Sequence, residues 1–487
     1  MRTKHTTPDP HDLPMNTLKK SITLNQAIIY GIGIILGAGI YALIGEAAGV
    51  AGNAVWLSFL IAAIIASFTA LSYAELSKLF PKSAAEFIYV QETSHIKSLA
   101  FFVGYLTILT GIISAAAVAL GFSAYFKFFA SFIPVLAGIS PYFLIVGVSI
   151  LLIIILSIIN FRGIEESAKL NTIFTIIEAG GLVFIIIIGL IFISGNGVPD
   201  LLEVPGGAEL LSTAFFAPLL GAAALIFFAY LGFEDIANIA EETKNPEKTV
   251  PRALIISLIV TTIIYVLVAI IAVSVVPYGD LAASSHASSI TEGPLSLVAS
   301  TALNTPLGGL VFTFIALFAT ANTVLILLIV SSRMMYGMSR ETCLPKCFSK
   351  IHKKTKTPYI AVFVIGMITI LFTLGGDIGV VASLTNLGVF LIFFFVNASL
   401  VMYRFSNRKE KKKVEGFRVP GNIGWFPVLP TLGVIFCFLM FITQYWGTVD
   451  LGIIKLPLIV FGMLVFLTAF PVFFLYRKNK ALFDKEF

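Results

Sequence analysis

Apolar stretches long enough to cross a bilayer recur along almost the whole of this chain of 487 residues, and they are continuous rather than alternating. About 18 consecutive apolar residues are enough for a spanning helix, whereas barrel strands alternate over about 10 residues. Only 12% of the residues are charged against 58% hydrophobic, and the mean hydropathy is +0.98. A water-soluble domain carries closer to ~25% charge. The chain is therefore expected to be an all-α polytopic membrane protein with the lipid bilayer as its solvent. Twelve transmembrane helices are predicted, at roughly 24–48, 54–79, 98–126, 141–160, 168–194, 212–240, 252–277, 306–335, 359–374, 379–403, 426–447 and 453–476.

The net charge of +6 would suit a nucleic-acid partner if it were clustered on one face. It is not. Thirty of the 32 Lys and Arg fall in alternate inter-span segments, leaving only Lys127 and Lys455 on the other side. Such asymmetry orients membrane helices, because basic loops stay in the cytoplasm. It predicts a multi-pass protein of the cell membrane with both termini cytoplasmic, and no nucleic-acid partner. The basic run Arg408–Lys413 is read as topogenic. The first 22 residues are polar and Pro-rich, with no apolar core of a cleaved signal peptide, and read as a flexible tail. Cys343 and Cys347 lie near His352, but a closed zinc site takes four ligands and no fourth is evident. Reduced thiols are expected, with no metal and no cofactor. The chain lacks HExxH, GxSxG and nucleotide-binding loops, which argues against an enzyme or a primary pump.

The first span is unusual within this pattern. "GIGIILGAGIYALIGEAAG", Gly31–Gly49, concentrates glycine in one apolar helix, although each glycine costs about 1 kcal/mol relative to alanine. Two readings compete. Gly33 with Gly37, and Gly45 with Gly49, match the GxxxG spacing that lets helices pack closely. Alternatively, Gly37-Ala38-Gly39 interrupts the helix. A second interruption favours the latter: in "FFAYLGFEDIANIAEE", Phe227–Glu242, Gly232 is followed by Glu234 and Asp235. The two lie five spans apart, so span 6 enters from the side opposite to span 1. Paired broken segments in halves of opposite topology are the sequence mark of a transporter binding site.

A broken helix leaves backbone groups without partners at membrane depth, and a ligand can supply them. The half-helix starting at Gly37-Ala38-Gly39 offers N–H groups and a positive dipole end, so the amides of Ala38, Gly39 and Ile40 suit a carboxylate. The carbonyls of Ile35, Phe228 and Leu231 lie at negative ends and suit an ammonium. Ala229, Tyr230 and Gly232 complete the candidate substrate-binding set, with the Phe228 and Tyr230 rings as candidate occluding groups. The ligand so described is a small-molecule amino acid, without specification of its side chain or of an oligomeric state.

These stretches resemble those of the amino acid–polyamine–organocation (APC) superfamily, particularly its cationic amino acid transporter-like branch. The glycine-rich segment resembles the family's span 1, and Phe227–Ile255 its span 6 and following loop. "YAELSKLFPKSAAEFIYV" (Tyr73–Val90) resembles the loop after span 2, and "NFRGIEESAKLN" (Asn160–Asn171) the entry to span 5. The resemblance covers most of residues 24–404. It implies the LeuT-like five-plus-five inverted repeat with broken helices 1 and 6. The repeats would be 23–204 and 205–408, preceded by the tail 1–22. A basic loop (409–425), spans 11 and 12 (426–476) and a cytoplasmic tail (477–487) would follow. It also implies secondary transport of amino acids by alternating access, as symporter or as antiporter, with a signalling receptor as the reading from another class.

The chain departs from the family at two places. Ala84, Ala85 and Glu86 stand where the loop motif usually has paired glycines and an aromatic. Twelve residues after Glu166, where relatives often carry lysine, stands Glu178. Ten residues into its span, it lies about 15 Å deep at 1.5 Å per residue. A buried ionisable group there costs roughly 3 kcal/mol and marks function by default. Three readings are open for Glu178: it carries the coupled proton, it helps bind a cation, or it bonds the opened backbone of span 1 without titrating. Glu234 and Asp235 follow the break: one is read as a gate or specificity residue that attracts basic substrates, or both as caps of the second half-helix, the reading preferred for Asp235. Glu75, Glu241 and Glu242 are read as intracellular ion pairs with basic residues, and Asn322 as a helix–helix hydrogen bond in preference to a residue that serves the site.

Overall fold

A capping box opens the first long helix: Thr23 accepts from the Gln26 amide, and the Gln26 side chain returns to the Thr23 amide. This helix, α1 (Leu24–Ala51), is followed by α2 (Val55–Leu79), α3 (Ala85–Ser94), α4 (Lys97–Ala130), α5 (Pro141–Arg162) and α6 (Ile164–Asn196). Next come α7 (Thr213–Ile226), the single turn α8 (Asp235–Asn238), α9 (Pro246–Val275), α10 (Tyr278–Ser285), α11 (Pro294–Leu303) and α12 (Leu307–Arg340). The last are α13 (Tyr359–Thr373), α14 (Ile378–Ser406), α15 (Val428–Thr443) and α16 (Ala469–Phe483). The computed structural model describes the chain except residues 1–17, 131–139, 208, 210–211, 286–292, 375–377, 409–416, 444–447, 451–454, 458–461, 464–466 and 484–487. Most of the expected N-terminal tail and of the run Arg408–Lys413 thus lies outside the described residues.

Among the described residues, nine helices are long and apolar enough to cross a membrane. Three further apolar helices, Pro294–Leu303, Tyr359–Thr373 and Val428–Ile442, are shorter. The second and third coincide with the expected ninth and eleventh spans. At 1.5 Å per residue, 15 residues cover about 22 Å, short of a hydrocarbon core of about 30 Å. Residues 453–476 differ most from expectation. Thr448–Asp450 and Lys455–Pro457 pair as antiparallel strands, and α16 begins only at Ala469. Pro457 has no amide hydrogen to continue a helix, and it follows Lys455 closely. A second small hairpin, Asn422–Ile423 with Phe426–Pro427, precedes α15. The helices α3, α10 and α11 occupy stretches expected to be plain connections; α3 buries every residue from Ala85 to Val90.

The core is formed by α1 and its neighbours. α1 packs against α9, α6, α7 and α12, while α12 also runs along α4, and α9 along α2. The face of α6 toward this core recurs at helical spacing through Asn171, Thr175, Glu178, Gly181, Leu182 and Ile185, all buried. Gly33 makes the close approach possible. A Cβ on it would run into Thr175 Oγ1 and stand 2.7 Å from Asn322 Nδ2. Asn322 of α12 in turn accepts from Asn171 (2.8 Å) and donates to Thr175 (3.1 Å). Asn322 is therefore a helix–helix hydrogen bond, as read from the sequence.

The ends of helices at the basic side are tied by ions. Arg404 binds Glu75 through Nε and Nη2 (2.7 and 2.5 Å). Arg333 binds Glu242 through Nε and Nη2 (both 3.1 Å) and also donates to Asn160 (2.6 Å). Arg340 binds Glu241 at 2.7 Å. All three glutamates are paired, as their sequence positions beside basic residues implied. Ahead of α1, Ile22 forms a β-bridge with Thr243, and the Ser21 and Ile22 amides both donate to the Glu242 carbonyl.

Candidate functional site

Both expected interruptions are present. Gly37 (φ 17°, ψ −157°) leaves the helical region inside α1. In the second segment, α7 tightens into a 3-10 turn at Phe227–Tyr230, Leu231 is extended, and Gly232 takes φ +114° before α8. Such a φ is open to glycine and strained for other residues. The interruptions face each other. A Cβ on Gly39 would stand 2.7 Å from Ala229 Cα, and one on Gly232 would stand 2.6 Å from Ile34 Cγ1. Backbone meets backbone at Gly39, and at Gly232 the backbone meets the Ile34 side chain; a side chain at either glycine would forbid the approach.

Two devices satisfy polar groups opened by the breaks. Tyr265, buried on α9, directs its hydroxyl to the carbonyls of Ile35, Leu36 (3.1 Å) and Ala229 (3.0 Å). One hydroxyl hydrogen serves three acceptors on both broken segments. Glu234 Oε2 accepts from the Gly232 amide at 2.8 Å, so this carboxylate caps the turn. Thr323 of α12 packs against Gly37; a Cβ there would lie 2.8 Å from its Oγ1.

Beside the paired breaks lies a cavity of about 110 Å³, the room of a few waters at roughly 30 Å³ each. Ile35, Gly39, Phe228, Ala229, Leu231, Gly232 and Glu234 border it, so the structure brings these expected residues together. Others lie elsewhere. Ile40 is buried in the helix beyond the break, and the backbone of Ala38 follows Gly37 directly. Tyr230 turns away and donates to the Phe59 carbonyl of α2 at 3.1 Å. Glu178 does not border the cavity; it is fully buried on the α6 face toward α1. Neither of its carboxylate oxygens has a hydrogen-bond partner among the described residues. The Tyr41 hydroxyl is likewise unpartnered and, with Tyr265, lies within electrostatic reach of Glu178.

The cavity also has walls that the sequence reading did not assign. Thr107, Thr110 and Ser114 present a polar stripe on α4, at helical spacing in an otherwise apolar span, and that spacing was readable. Ser114 donates to Thr385 of α14 at 3.1 Å. Val118, Leu327, Val330, Val389, Ile392 and Phe393 make the remaining surface apolar. Asp235 and Glu86 border it as well. Glu86 accepts from Tyr73 (3.0 Å) and, through both oxygens, from Asn238 Nδ2 (3.1 and 3.0 Å). The Ala85 amide donates to Asn238 Oδ1 at 2.9 Å, which fixes the orientation of that amide. Burial pushes the Glu86 carboxyl above the ordinary carboxylate range, while the bonds from Asn238 and Tyr73 pull it down.

Known proteins are similar to this chain over most of its length. The amino acid permease family model matches residues 22–470. A branched-chain amino acid permease, BcaP, of Bacillus subtilis is 30% identical over 443 residues, covering 89% of this chain and 90% of the relative. A methylthioribose transporter of the same organism is 27% identical over 478 residues, 96% of each chain. The vacuolar cationic amino acid transporter 4 of Arabidopsis thaliana is 28% identical over 400 residues, 80% of this chain and 64% of the relative. These relatives are transporters, not enzymes. With a multi-pass helical fold interrupted at two facing glycine turns, this chain belongs to the amino acid permease family.

Proposed function

We propose that the protein is a secondary active transporter that imports amino acids across the cytoplasmic membrane by alternating access, coupled to protons through Glu178. The observation that carries the reading is the meeting of two interrupted helices, Gly39 against Ala229 and Gly232 against Ile34, beside a cavity. The second half of α1 offers amide groups to a carboxylate, and the carbonyls around Ile35, Phe228 and Leu231 offer acceptors to an ammonium. Tyr265 occupies one direction at the Ile35 carbonyl, whose oxygen has a second lone pair for a ligand. In this reading the chain has twelve spans. Two five-span repeats of inverted topology (23–204 and 205–408) are followed by the basic loop 409–425 and spans 11 and 12. Both termini are cytoplasmic, and the Arg333–Glu242, Arg404–Glu75 and Arg340–Glu241 pairs close the cytoplasmic end.

Coupling rests on an acid buried in the span with no hydrogen-bond partner among the described residues. Such a group is costly when ionised and cheap when neutral, so it tracks whether its surroundings are open to water. The test is counterflow in proteoliposomes across the amino acids, with and without a pH gradient. Saturable exchange and accumulation that follows the gradient are expected. Exchange that ignores the gradient would make the protein an exchanger without net ion coupling. Absence of uptake for every amino acid would overturn the reading.

A further inference from the structure

A second cavity lies away from the helix breaks, on the flank of the bundle. It is a groove of about 450 Å³ between α5 and α13. Ile154, Ile158 and Phe161 of α5 form one wall, and Tyr359, Phe363 and Met367 of α13 the other, at helical spacing on both. Gly366 marks where the two helices touch at its floor: a Cβ there would stand 2.7 Å from Ser157 Oγ. The outer side is left open among the described residues, with Phe363 67% and Ile158 50% exposed.

One mouth of the groove is basic and held in place. The Thr357 hydroxyl, just ahead of α13, donates to the Phe161 carbonyl near the end of α5 (2.9 Å). The turn before it closes on itself: the His352 amide donates to the Thr357 carbonyl (2.9 Å) and the Lys356 amide to the His352 carbonyl (3.0 Å). The His352 ring lies against Phe161, with centroids 5.2 Å apart, and against Tyr359 at 6.1 Å. This pinned turn holds Lys353 and Lys354 exposed on the side of Arg162, the exposed last residue of α5. An acid, Glu166, also stands here: its Oε2 and the Thr355 carbonyl each lie 3.2 Å from where a Gly163 Cβ would be. Arg162, Lys353 and Lys354 against Glu166 leave the mouth positive.

We infer that this groove holds an anionic phospholipid, with an acyl chain between α5 and α13 and the headgroup phosphate on Arg162, Lys353 and Lys354. An apolar slot that opens onto cations fits a molecule with a long hydrocarbon tail and an anion at one end. Basic residues beside a membrane span attract anionic lipid, and Tyr359 stands where an aromatic ring suits the boundary between hydrocarbon and headgroup. A zwitterionic lipid brings an ammonium that the three cations repel. A soluble anion leaves the apolar walls uncovered. The inference uses only the membrane placement of the two helices and is independent of the substrate and of Glu178.

The experiment is native mass spectrometry of the detergent-purified protein, titrated with dioleoyl phosphatidylglycerol or dioleoyl phosphatidylcholine. The first phosphatidylglycerol is expected to bind at about tenfold lower concentration than the first phosphatidylcholine, with a preference that weakens as salt is raised. Arg162→Gln, Lys353→Gln and Lys354→Gln are each expected to cost about fivefold, the worth of one basic residue near an anionic headgroup. The triple variant is expected to bind both lipids alike. Ile158→Trp fills the slot from an exposed position and is expected to remove tight binding while leaving the charges in place. Dihexanoyl phosphatidylglycerol, which has the headgroup but short chains, is expected to bind weakly. Replacing Lys411, Lys412 and Lys413 by Gln is the comparison, because that run is basic too; the lipid preference is expected to survive it. Thermal-shift measurements with the same lipids give the ratio for any variant that ionises poorly. An unaltered preference in the triple variant, or an equal loss on neutralising Lys411–Lys413, would overturn the site. So would dihexanoyl lipid binding as tightly as dioleoyl lipid, which would leave an anion site without a groove. A dimer of delipidated protein that Ile158→Trp abolishes would make a second copy the occupant and would overturn it as well.

Discussion

Glu178 and Tyr265 carry opposite lessons at the scale of single residues. Glu178 was legible because an acid in an apolar span stands out wherever it falls, and its register against Glu166 could be counted. Its surroundings were not legible, because the missing partners depend on which helices pack around α6. Glu178→Gln removes the titratable group while preserving shape. Accumulation driven by a pH gradient is expected to disappear, with counterflow exchange partly retained. Full gradient-driven accumulation in the variant would rule out the coupling role. Tyr265 was invisible beforehand, being one aromatic among many in an apolar helix. Its hydroxyl serves carbonyls of Ile35, Leu36 and Ala229, so Tyr265→Phe deletes a hydrogen and leaves buried acceptors unsatisfied. A loss of stability of about 1–3 kcal/mol follows, together with weakened exchange. An unchanged thermal midpoint and unchanged apparent affinity would show that the shared hydroxyl is dispensable.

At the scale of elements, the interrupted helices were read well because glycine is so poor a choice in a spanning helix that its clustering needs a reason. The short helices α3, α10 and α11 were missed. They are held by tertiary burial rather than by a long apolar period; α3 lies against α4 and α14. The connection between α2 and α3 shows the cost of departing from glycine. Ala84 takes φ +61°, a left-handed conformation that costs about 1 kcal/mol for a residue with a side chain. Ala84→Gly is therefore expected to raise the midpoint of thermal unfolding slightly, with a ceiling of about 1 kcal/mol because glycine is freer in the unfolded chain. A fall in the midpoint would show that the Ala84 methyl, which lies beside Gly337, contributes more by packing than it costs in strain. Gly33 makes the opposite case. Its neighbours Thr175 and Asn322 leave no room for a methyl group, so Gly33→Ala should force α1 off α6 and α12. The expected loss is about 1–3 kcal/mol, visible in thermal unfolding, and wild-type stability would mean that the three helices part readily.

Across the whole molecule, charge distribution and hydropathy suffice for a multi-pass helical bundle, while the final segment exposes their limit. Lys455–Pro457 fall within the expected twelfth span, yet they pair with Thr448–Asp450 as short strands, and Pro457 lacks the amide hydrogen that a helix needs there. The ion pairs at the basic end bind distant parts of the chain: Arg333 on α12 to Glu242, and Arg404 on α14 to Glu75 on α2. Removing one member strands a buried charge, at about 3–5 kcal/mol. Arg333→Ala is expected to lower the thermal midpoint strongly, and the double variant Arg333→Met with Glu242→Leu to recover most of the loss. If the double variant is no more stable than the single one, the Arg333 bond to Asn160 matters more than the ion pair.

The bridge between Ile22 and Thr243 has a mechanical consequence. It joins the beginning of the first interrupted helix to the end of the second, so the half-segment before Gly37 and the half-segment after Gly232 are tied to each other at one end. The tie couples these two halves: a tilt of the one before Gly37 is carried to the one after Gly232. A fusion partner or affinity tag joined ahead of Leu18 leaves the linkage intact, whereas a truncation that removes Ile22 turns one moving body into two.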